Sequence, residues 1–425
     1  MEILQLDDLD GAVRAARAVR RPAGHLSVEA DVKGIIGRVR EGGAAEVVAL
    51  TKELDRADIS GSLEVGVEER LAAWESTGQE LKEAMGGARE RIALFAGRAA
   101  GTDWTESPAA GVEAGEVFRS LPRAGIYIPG GRFAYPSTVL MTGVPAEVAG
   151  VAEIVFCIPP RDDGKVPALS LAATTLVKGA RVFRVGGAQA IAAMAYGADP
   201  IPACPFIAGP GNIYVTEAKR QVSGDVRIDT LAGPSEVAVY IEDPEFARLA
   251  ALDMLSQLEH DPRAIAVCVS ISREALEAVS TELKEIGSGG GLDREDNATL
   301  ALCIRREDAF AFINELAPEH LEIMADEARE LLGLVESAGC IFLGPFSGVA
   351  YGDYFAGPSH VLPTGGAALG RGGLSARDFQ RAVNVVSYDR AGANADGPVT
   401  VELARAEGLE MHARSIEERM KNEEK

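Results

Sequence analysis

The chain contains little cysteine and no paired cysteine motif. Five cysteines are scattered among its 425 residues, and none shows the CxxC spacing of metal-binding or redox-active pairs. Cys157, Cys268 and Cys303 lie inside short apolar runs, where a small buried side chain is the common role of a cysteine. These features argue against a disulfide-stapled secreted fold and predict a reduced, cytoplasmic protein.

The chain also lacks any concentration of positive charge. Its 64 acidic residues outnumber the 42 Lys and Arg residues, which gives a formal net charge of -22, and no Lys/Arg cluster stands out. The balance argues against nucleic acid and anionic membranes as partners, because both are bound through clustered positive charge. A small anionic cofactor held by backbone amides is still compatible with this composition.

Long apolar segments are missing as well. The most apolar long stretch, residues 143–160, is interrupted by Glu147 and Glu153 and is too short on either side of them to span a bilayer. The N-terminal residues are acidic and then basic, without the apolar centre of an export signal. We therefore expect no membrane partner.

Neither standard phosphate-binding loop occurs, since the chain has no GxGxxG and no GxxxxGKS/T motif. Glycine-rich turns follow apolar runs at residues 129–131, 186–189 and 209–212 instead. The first two precede helical runs, and helix N-termini can hold a pyrophosphate. Taken singly, each of these motifs is more often just a tight turn.

Short apolar runs alternate with helical patterns over most of the chain. A protein of this length needs more than one hydrophobic core, and such alternation is typical of parallel sheets covered on both faces. The sequence therefore predicts an α/β fold with two lobes, a helical region over residues 28–101, and a separate appendage from Ser375 with a turn at residues 391–397. The strand-like runs are 125–131, 153–158, 182–185, 236–241, 264–269, 299–304, 321–324, 339–343 and 383–388.

The stretch from Leu231 to His260 is the one around which the site prediction is built. It is predicted as loop, strand, turn and helix, with an apolar helix side that carries Phe246, Leu249 and Leu252. Gln257 and His260 are three residues apart on the last turn, so their side chains share one face. The pair could bind a metal, although by itself the pattern fits a helix end capped by polar residues.

Most of the five histidines have a carboxylate or an amide close to them in sequence. For a single histidine, a hydrogen-bonded structural role is the more common one. Several histidines that each have a possible co-ligand or orienting group favour a metal-assisted site. The groups are Gln257 with His260, Glu319 with His320, Asp353 with His360, and Glu407 with His412, whereas His25 stands in an N-terminal loop and is treated as ordinary.

Nine runs of sequence, taken in order, resemble histidinol dehydrogenases over nearly the whole chain. Each run alone is a weak signal, whereas all of them in this order are a specific one. They are YIPGG from Tyr127, YPSTVLMTGVPAEVAG from Tyr135, VGGAQAIAAMAYG from Val185, GPGNIYVTEAKRQV from Gly209, GPSE from Gly233, SQLEHDP from Ser256, APEHLE from Ala317, GDYFAGPSHVLPTGG from Gly352 and AEGLEMHA from Ala406.

The resemblance implies a zinc-dependent enzyme of histidine biosynthesis, which oxidises L-histidinol to L-histidine through histidinaldehyde with two NAD. It implies an acid/base pair, Glu319 and His320, and one zinc per subunit, held by Gln257, His260, Asp353 and His412. The implied substrate contacts are these four ligands together with Ser235, His320, His360 and Glu407. The implied NAD contacts are Tyr127, Gln189 and Asn212, close to Arg132 and Phe133, where the chain departs from the common family pattern.

The resemblance also implies a homodimer of chains with two incomplete Rossmann-like lobes, plus small N-terminal and C-terminal appendages. We predict an N-terminal helical arm at 1–24, a first lobe from 25–126 and 237–374, a second lobe at 127–236, and an appendage at 375–425. The appendage would be swapped in the dimer, so that Glu407 and His412 complete the site of the partner subunit.

The residue types suit the oxidation of an alcohol to an acid. Histidine titrates near neutral pH, so His320 can take the hydroxyl proton, and Glu319 can draw a proton from the water that hydrates the aldehyde. No cysteine lies in the matched site runs, so we expect no thioester intermediate. The metal ligands leave room for substrate nitrogens, so the metal would mainly fix the substrate and retain the aldehyde.

Two alternatives have other functions. A paralogous dehydrogenase could use the same metal site to oxidise another polar alcohol, but His360 and Glu407 argue for histidinol. A non-catalytic metal-binding or scaffold protein on the same fold is disfavoured by the intact Glu319-His320 pair.

Overall fold

The computed structural model describes residues 2–20, 28–59, 62–130, 133–290 and 297–421, so His25 and Arg132 lie outside the described residues. The strands are β1 Ile3–Leu6, β2 Glu64–Val65, β3 Trp104–Ala109, β4 Val112–Ser120, β5 Arg123–Tyr127, β6 Glu153–Ile158, β7 Ala180–Arg184, β8 Phe206–Ala208, β9 Arg227–Ile228, β10 Glu236–Ile241, β11 Ile265–Ser270, β12 Ala298–Cys303, β13 His320–Met324, β14 Cys340–Leu343 and β15 Gln380–Tyr388. The helices are α1 Leu9–Val19, α2 Glu29–Leu54, α3 Val67–Glu75, α4 Gln79–Ala99, α5 Pro136–Val148, α6 Ala168–Ala173, α7 Gly187–Tyr196, α8 Ile213–Val222, α9 Ala247–Leu258, α10 Arg273–Gly290, α11 Arg306–Leu316, α12 Ala328–Leu331, α13 Val349–Tyr354, α14 Arg390–Ala406 and α15 Glu410–Met420. No helix among the described residues has the length and apolar character that a membrane crossing requires.

Six parallel strands form the first sheet, in the order β1-β12-β11-β10-β13-β14. Its strands β10 and β11 are buried along their whole length, because helices cover both faces. α9 and α10 pack on one face, and α1 and α11 pack on the other. The segment predicted as a helical arm at 1–24 therefore also contributes an edge strand, β1.

The second sheet has the order β2-β7-β6-β5-β8-β9 and is parallel except at the β2 edge. α2, α7 and α8 cover one face, and α4, α5 and α6 cover the other. Two lobes built on parallel sheets confirm the predicted fold class.

The helices that precede β5 lie in a different lobe from the one predicted. The prediction groups residues 25–126 with 237–374, yet α2 packs on α7, α4 packs on α5, and β5 is an inner strand of the second sheet. The assignment is wrong for these elements. Helical periodicity shows which face of α2 is buried, through residues such as Val39 and Val47, but an apolar face of this kind fits either sheet.

A third, antiparallel sheet connects the C-terminal appendage to the body. Its order is β15-β4-β3, and all nine residues of β15 pair with β4, from Gln380 opposite Ser120 to Tyr388 opposite Val112. The sequence analysis does not anticipate the β3-β4 hairpin, because its residues do not form a continuous apolar run. Its strands face solvent for much of their length.

The predicted turn at residues 391–397 is wrong, because this segment begins α14. The side chain of Asp389 accepts a hydrogen bond from Gly392 N–H and caps the helix. A Cβ on Gly392 would collide with the carbonyl oxygen of Gly111, and one on Gly397 would collide with Met420. The glycines therefore allow close packing here and do not mark a turn.

Candidate active site

A cleft of about 750 Å³ lies between the two lobes. Its second-lobe wall comes from loops after β5 and β8, with Tyr127 and Gly209, whereas its first-lobe wall comes from residues before β10 and β13, with Ser235 and Glu319. The second-lobe wall therefore lies at the carboxyl ends of parallel strands, the usual ligand-binding edge of an open α/β sheet, whereas the first-lobe wall lies at the amino ends of β10 and β13. The cleft brings these two edges together.

Glu319 and His320 are held together by the backbone of Glu236. β10 and β13 are neighbours in the sheet, with Val237 opposite His320. Glu236 N–H donates to Glu319 Oε2 at 2.9 Å, and the carbonyl oxygen of Glu236 lies 3.2 Å from His320 Nδ1. Because a carbonyl oxygen can only accept, Nδ1 must carry the proton of a neutral ring, and Nε2 keeps a free lone pair.

Asp353 lies on the Nε2 side of His320, and two further histidines are nearby. Asp353 Oδ1 is 3.8 Å from His320 Nε2, and the backbone carbonyl of Asp353 accepts from His360 Nδ1 at 3.0 Å. Burial lowers the pKa of both His320 and His360, Asp353 opposes this shift, and the nearby His260 adds to it. The structure thus brings three imidazoles and one carboxylate to the same place, with His320 and His360 favoured in the neutral form.

Two carboxyl groups of the site are held away from solvent. Burial raises the pKa of Glu319 well above its usual range, and the nearby charges of Glu236 and Asp353 raise it further. Burial also raises the pKa of Glu236 to about 7, against a hydrogen bond that Gly365 N–H donates to Oε1 at 2.9 Å. Raised carboxyl pKa values are typical of groups that exchange protons near neutral pH.

Glu236 is the site residue that the sequence analysis misses. The analysis treats it as the first residue of a strand, but its amide and carbonyl hold the acid/base pair, and its own Oε2 is buried without a hydrogen-bond partner. The available signal is an acidic residue at the head of a fully apolar strand, since buried carboxylates are rare without a role.

Gln257 and His260 lie at the end of α9, with Gln257 buried in the last turn and His260 just beyond it. His260 N–H donates to the Gln257 carbonyl oxygen at 3.3 Å. The predicted apolar side of this helix is confirmed for Phe246, which packs against the core, but wrong for Leu249 and Leu252, which are exposed, whereas small residues such as Ala250 are buried. A helix that packs closely on a sheet buries its small residues at the contact.

The remaining predicted substrate contacts divide into two groups. Ser235 and His360 line the cleft together with His260 and Glu319. Glu407 and His412 are exposed at the end of α14 and on α15, and they are not among the described residues that line the cleft. One chain therefore assembles most of the predicted site without these two side chains.

Within the described part of the chain, no group of three or more His, Cys, Asp or Glu side chains could hold a metal ion. The predicted set has two such residues near the cleft, His260 and Asp353, while Gln257 contributes an amide and His412 lies on α15. A single chain thus offers an incomplete ligand set of nitrogen and oxygen donors.

The predicted NAD residues lie on the second-lobe side. Tyr127 and Asn212 line the cleft, and Asn212 caps α8 by accepting from two backbone amides. Gln189 is buried and donates to Asp55 at 3.0 Å, which leaves its Oε1 without a partner. Gly187 N–H, next to Gln189, donates to the Tyr127 hydroxyl at 3.3 Å. Asp55, whose pKa burial raises to about 6, is a neighbour that the sequence analysis does not identify.

A buried ion pair supports the glycine turn before α8. Lys219 pairs with Asp229, and both side chains are almost fully buried. Lys219 Nζ also donates to the Gly209 carbonyl oxygen at 3.1 Å, while Asp229 accepts from Gly209 N–H at 2.7 Å. Gly209 has φ +113°, and a Cβ there would collide with the carbonyl oxygen of Tyr127. The pair fixes a backbone turn that only glycine can form.

The cysteines are protonated thiols. Burial of Cys157, Cys268 and Cys303, as predicted, is confirmed. Cys340 stands opposite His320 in the sheet, a proximity that sequence runs do not reveal. Burial, with the nearby charge of Asp353, raises its pKa to about 11, so it is a poor nucleophile at neutral pH.

The chain is similar over almost its full length to proteins of one family. The family model for histidinol dehydrogenase matches residues 19–420. Histidinol dehydrogenase of Halalkalibacterium halodurans is 42% identical over 401 residues, which cover 92% of this chain and 94% of the relative. That of Moorella thermoacetica is 44% identical over 409 residues, which cover 94% and 96%. The crystal structure of histidinol dehydrogenase from Elizabethkingia anophelis has a TM-score of 0.91 at 29% identity, covering 98% of each chain.

Proposed function

Because the chain belongs to the histidinol dehydrogenase family of oxidoreductases of histidine biosynthesis, we propose that it oxidises L-histidinol to L-histidine in two NAD-linked steps at a zinc site shared by two subunits. The observation that carries the proposal is the pair Glu319-His320, which the backbone of Glu236 holds at the cleft. Glu319 lines the cleft together with His260 and His360, and Asp353 lies 3.8 Å from His320 behind this lining.

In the first step, the hydroxyl oxygen of histidinol loses a proton and its carbon loses a hydride, which NAD accepts when it is bound. His320 takes the proton at Nε2, because Nδ1 is committed to the Glu236 carbonyl oxygen. Burial lowers the pKa of His320, so the ring is in the neutral form that a base needs. Asp353, 3.8 Å away, stabilises the imidazolium that results.

In the second step, water adds to the aldehyde carbon, and the diol formed loses a proton and a hydride, which a second NAD accepts when it is bound, to give the carboxylic acid. Glu319 is the group proposed to take a proton from that water once it is ionised. Its raised pKa makes its carboxylate a stronger base than an ordinary glutamate. Because the thiol of Cys340 is protonated, hydration of the aldehyde is favoured over a thioester route.

The donors near the cleft fit zinc, which is bound in catalytic sites by imidazole nitrogen and carboxylate oxygen with a position left for substrate. Gln257, His260 and Asp353 would hold it, with His412 of the partner subunit as the fourth ligand. Bound zinc would orient the amine and imidazole nitrogens of the substrate and retain the aldehyde. Ser235 and His360 would contact the substrate from the cleft wall.

The appendage supports a shared site. Its side chains Val386, Leu403 and Met411 are 66%, 62% and 72% exposed in the single chain. Exposed apolar side chains in one segment mark an interaction surface, and the same segment carries Glu407 and His412. A second copy of the chain would cover this surface and receive both polar residues in its cleft.

The NAD contacts proposed are Tyr127, Gln189 and Asn212. Asn212 caps α8, and the N-terminus of a helix suits the pyrophosphate of a dinucleotide. Tyr127 lines the cleft, and its hydroxyl accepts from Gly187 N–H; Gln189, two residues after Gly187, is buried behind this wall with its Oε1 unpartnered. Phe133, which follows Tyr127 by six residues in the sequence, is exposed.

Steady-state assays with purified, metal-analysed protein test the substrate. NADH formation should be fastest with histidinol, and chelation should abolish it while the circular dichroism spectrum is largely kept. A larger kcat/KM for another polar alcohol would favour the paralogous dehydrogenase. No NADH from any alcohol, with metal still bound, would favour a binding protein.

A further inference from the structure

A second pair of carboxyl groups lies in the first lobe, close in sequence to the residues that line the site. Glu322 on β13 is 1% exposed, and Asp253 on α9 is half-buried. Their side chains are hydrogen-bonded to each other, and no cation among the described residues forms an ion pair with either. Two ionised carboxylates repel each other at this range, so a hydrogen bond between them requires one shared proton.

The hydrogen bonds of Glu322 indicate where that proton lies. Glu322 Oε1 accepts from Val349 N–H at 2.8 Å, whereas Oε2 is buried and has no partner as an acceptor. Burial raises the pKa of both groups; the charge of Asp253 raises that of Glu322 further, to well above its usual range, whereas the hydrogen bond with Glu322 opposes the rise at Asp253. A protonated Oε2 that donates to Asp253 satisfies both oxygens of Glu322.

The two carboxyl groups connect α9, β13 and α13, and each of these elements carries a predicted site residue a few positions away. Asp253 is four residues before Gln257 on α9, which places both on one helix face. Glu322 is two residues after His320 on β13, so both point to the same side of the sheet. Val349, held by Glu322, begins α13, and Asp353 follows four residues later on that helix.

We propose that Asp253 and Glu322 are positioning residues, which hold α9, β13 and α13 in the relative places that bring Gln257, His320 and Asp353 together. Neither is among the described residues that line the cleft, so they act through the elements that they join. The effect on catalysis rests on the function proposed above, whereas the effect on geometry does not.

Four variants test the proposal. Glu322→Leu removes both hydrogen bonds at similar volume, and Asp253→Ala removes the acceptor on a half-buried helix position that tolerates alanine. Glu322→Gln keeps both bonds, because its amide oxygen accepts from Val349 and its NH₂ donates to Asp253. Asp308→Leu is the matched control, since Asp308 is a buried carboxylate of the same lobe that pairs with Arg305 at the start of α11.

The readouts are kcat with histidinol, zinc bound per chain and the midpoint of thermal unfolding. We expect Glu322→Leu and Asp253→Ala to lose about 10²-fold in kcat, the usual effect of a misplacement of about 1 Å, together with zinc affinity. Glu322→Gln should stay within about threefold of wild type, because the hydrogen bonds persist. Asp308→Leu should lose thermal stability but keep kcat and zinc.

Equal effects of Glu322→Leu and Asp308→Leu on kcat and zinc would overturn the proposal, and so would a Glu322→Gln protein as impaired as Glu322→Leu. If Glu322→Leu does not fold, Asp253→Ala decides in the same way. If wild type does not oxidise histidinol, a crystal structure of Asp253→Ala still decides. The His320 Nε2–Asp353 Oδ1 separation, 3.8 Å in the wild-type chain, should increase, and an unchanged separation would contradict a positioning role.

Discussion

Replacing His320 with asparagine should separate the base from the other parts of the site. Asparagine keeps much of the volume of histidine and can still donate to the Glu236 carbonyl oxygen, which lies 3.2 Å from Nδ1, but it cannot accept the hydroxyl proton. A positioned general base contributes about 10²- to 10⁴-fold, so kcat for histidinol should fall by that factor. At about 1.4 kcal/mol per tenfold, this is roughly 3–5 kcal/mol of transition-state stabilisation.

The pH dependence gives a second check on the same residue. Only the neutral ring can act as a base, so kcat/KM should fall as the pH drops through the pKa of His320. Burial lowers that pKa below its ordinary value of 6.5, and the acid limb should therefore lie below pH 6.5. Cys340→Ala is the control, because Cys340 stands opposite His320 in the sheet but has no role in the chemistry. A His320→Asn protein within threefold of wild type, or an acid limb above pH 6.5, would refute the assignment.

Three further predictions follow from the same site. Glu319→Gln should slow the second NADH more than the first in a single turnover with histidinol, since Glu319 is assigned to the hydration of the aldehyde; equal slowing of both would contradict this division. After subunit exchange, a mixture of His260→Ala and His412→Ala chains should regain activity, because one site of each heterodimer has both wild-type ligands. No recovery of activity after verified exchange would argue against a shared site. Lys219→Met should lower the free energy of unfolding by about 3–5 kcal/mol, because it leaves Asp229 as the unpaired partner of a buried ion pair. In steady-state kinetics it should raise the KM for NAD more than the KM for histidinol. A KM for NAD that stays at the wild-type value would show that the Gly209 turn does not depend on this pair.

Most of the parallel strands can be predicted from the sequence because they are buried on both faces, although the short strands β1, β8 and β9 are not among the predicted runs. Residues 236–241 form one continuous apolar run after a single Glu, and the observed strand β10 has these bounds. The run at 153–158 agrees equally well with β6. Such runs need no knowledge of their neighbours, since any sheet covered by helices imposes the same pattern.

Other features depend on partners that the sequence does not name. The choice of Leu249 and Leu252 as the buried side of α9 follows side-chain size, but close packing on the sheet selects small residues such as Ala250 and Ala251. The segment at 391–397 has the composition of a turn, but its glycines allow contact with neighbouring chain segments. In both cases the deciding factor is how closely two elements approach.

In the candidate site, too, some residues can be identified from sequence motifs and others only from their contacts in the fold. His320 and Asp353 stand out in sequence through their motifs, and the structure brings them within 3.8 Å of each other. Glu236 acts through its backbone amide and carbonyl. Because residues of many types can make such backbone hydrogen bonds, this role cannot be predicted from the residue type. The carboxyl pair Asp253-Glu322 is likewise invisible until α9 and β13 are in place.

The stoichiometry of the reaction tests the central claim most directly. Purified zinc-loaded protein should be given a limiting amount of L-histidinol with excess NAD, and both NADH and histidine should be measured at completion. The account predicts two NADH and one histidine for each histidinol consumed, and neither product from chelated protein. One NADH per histidinol with the aldehyde as the final product, or full conversion without a bound metal, would contradict it.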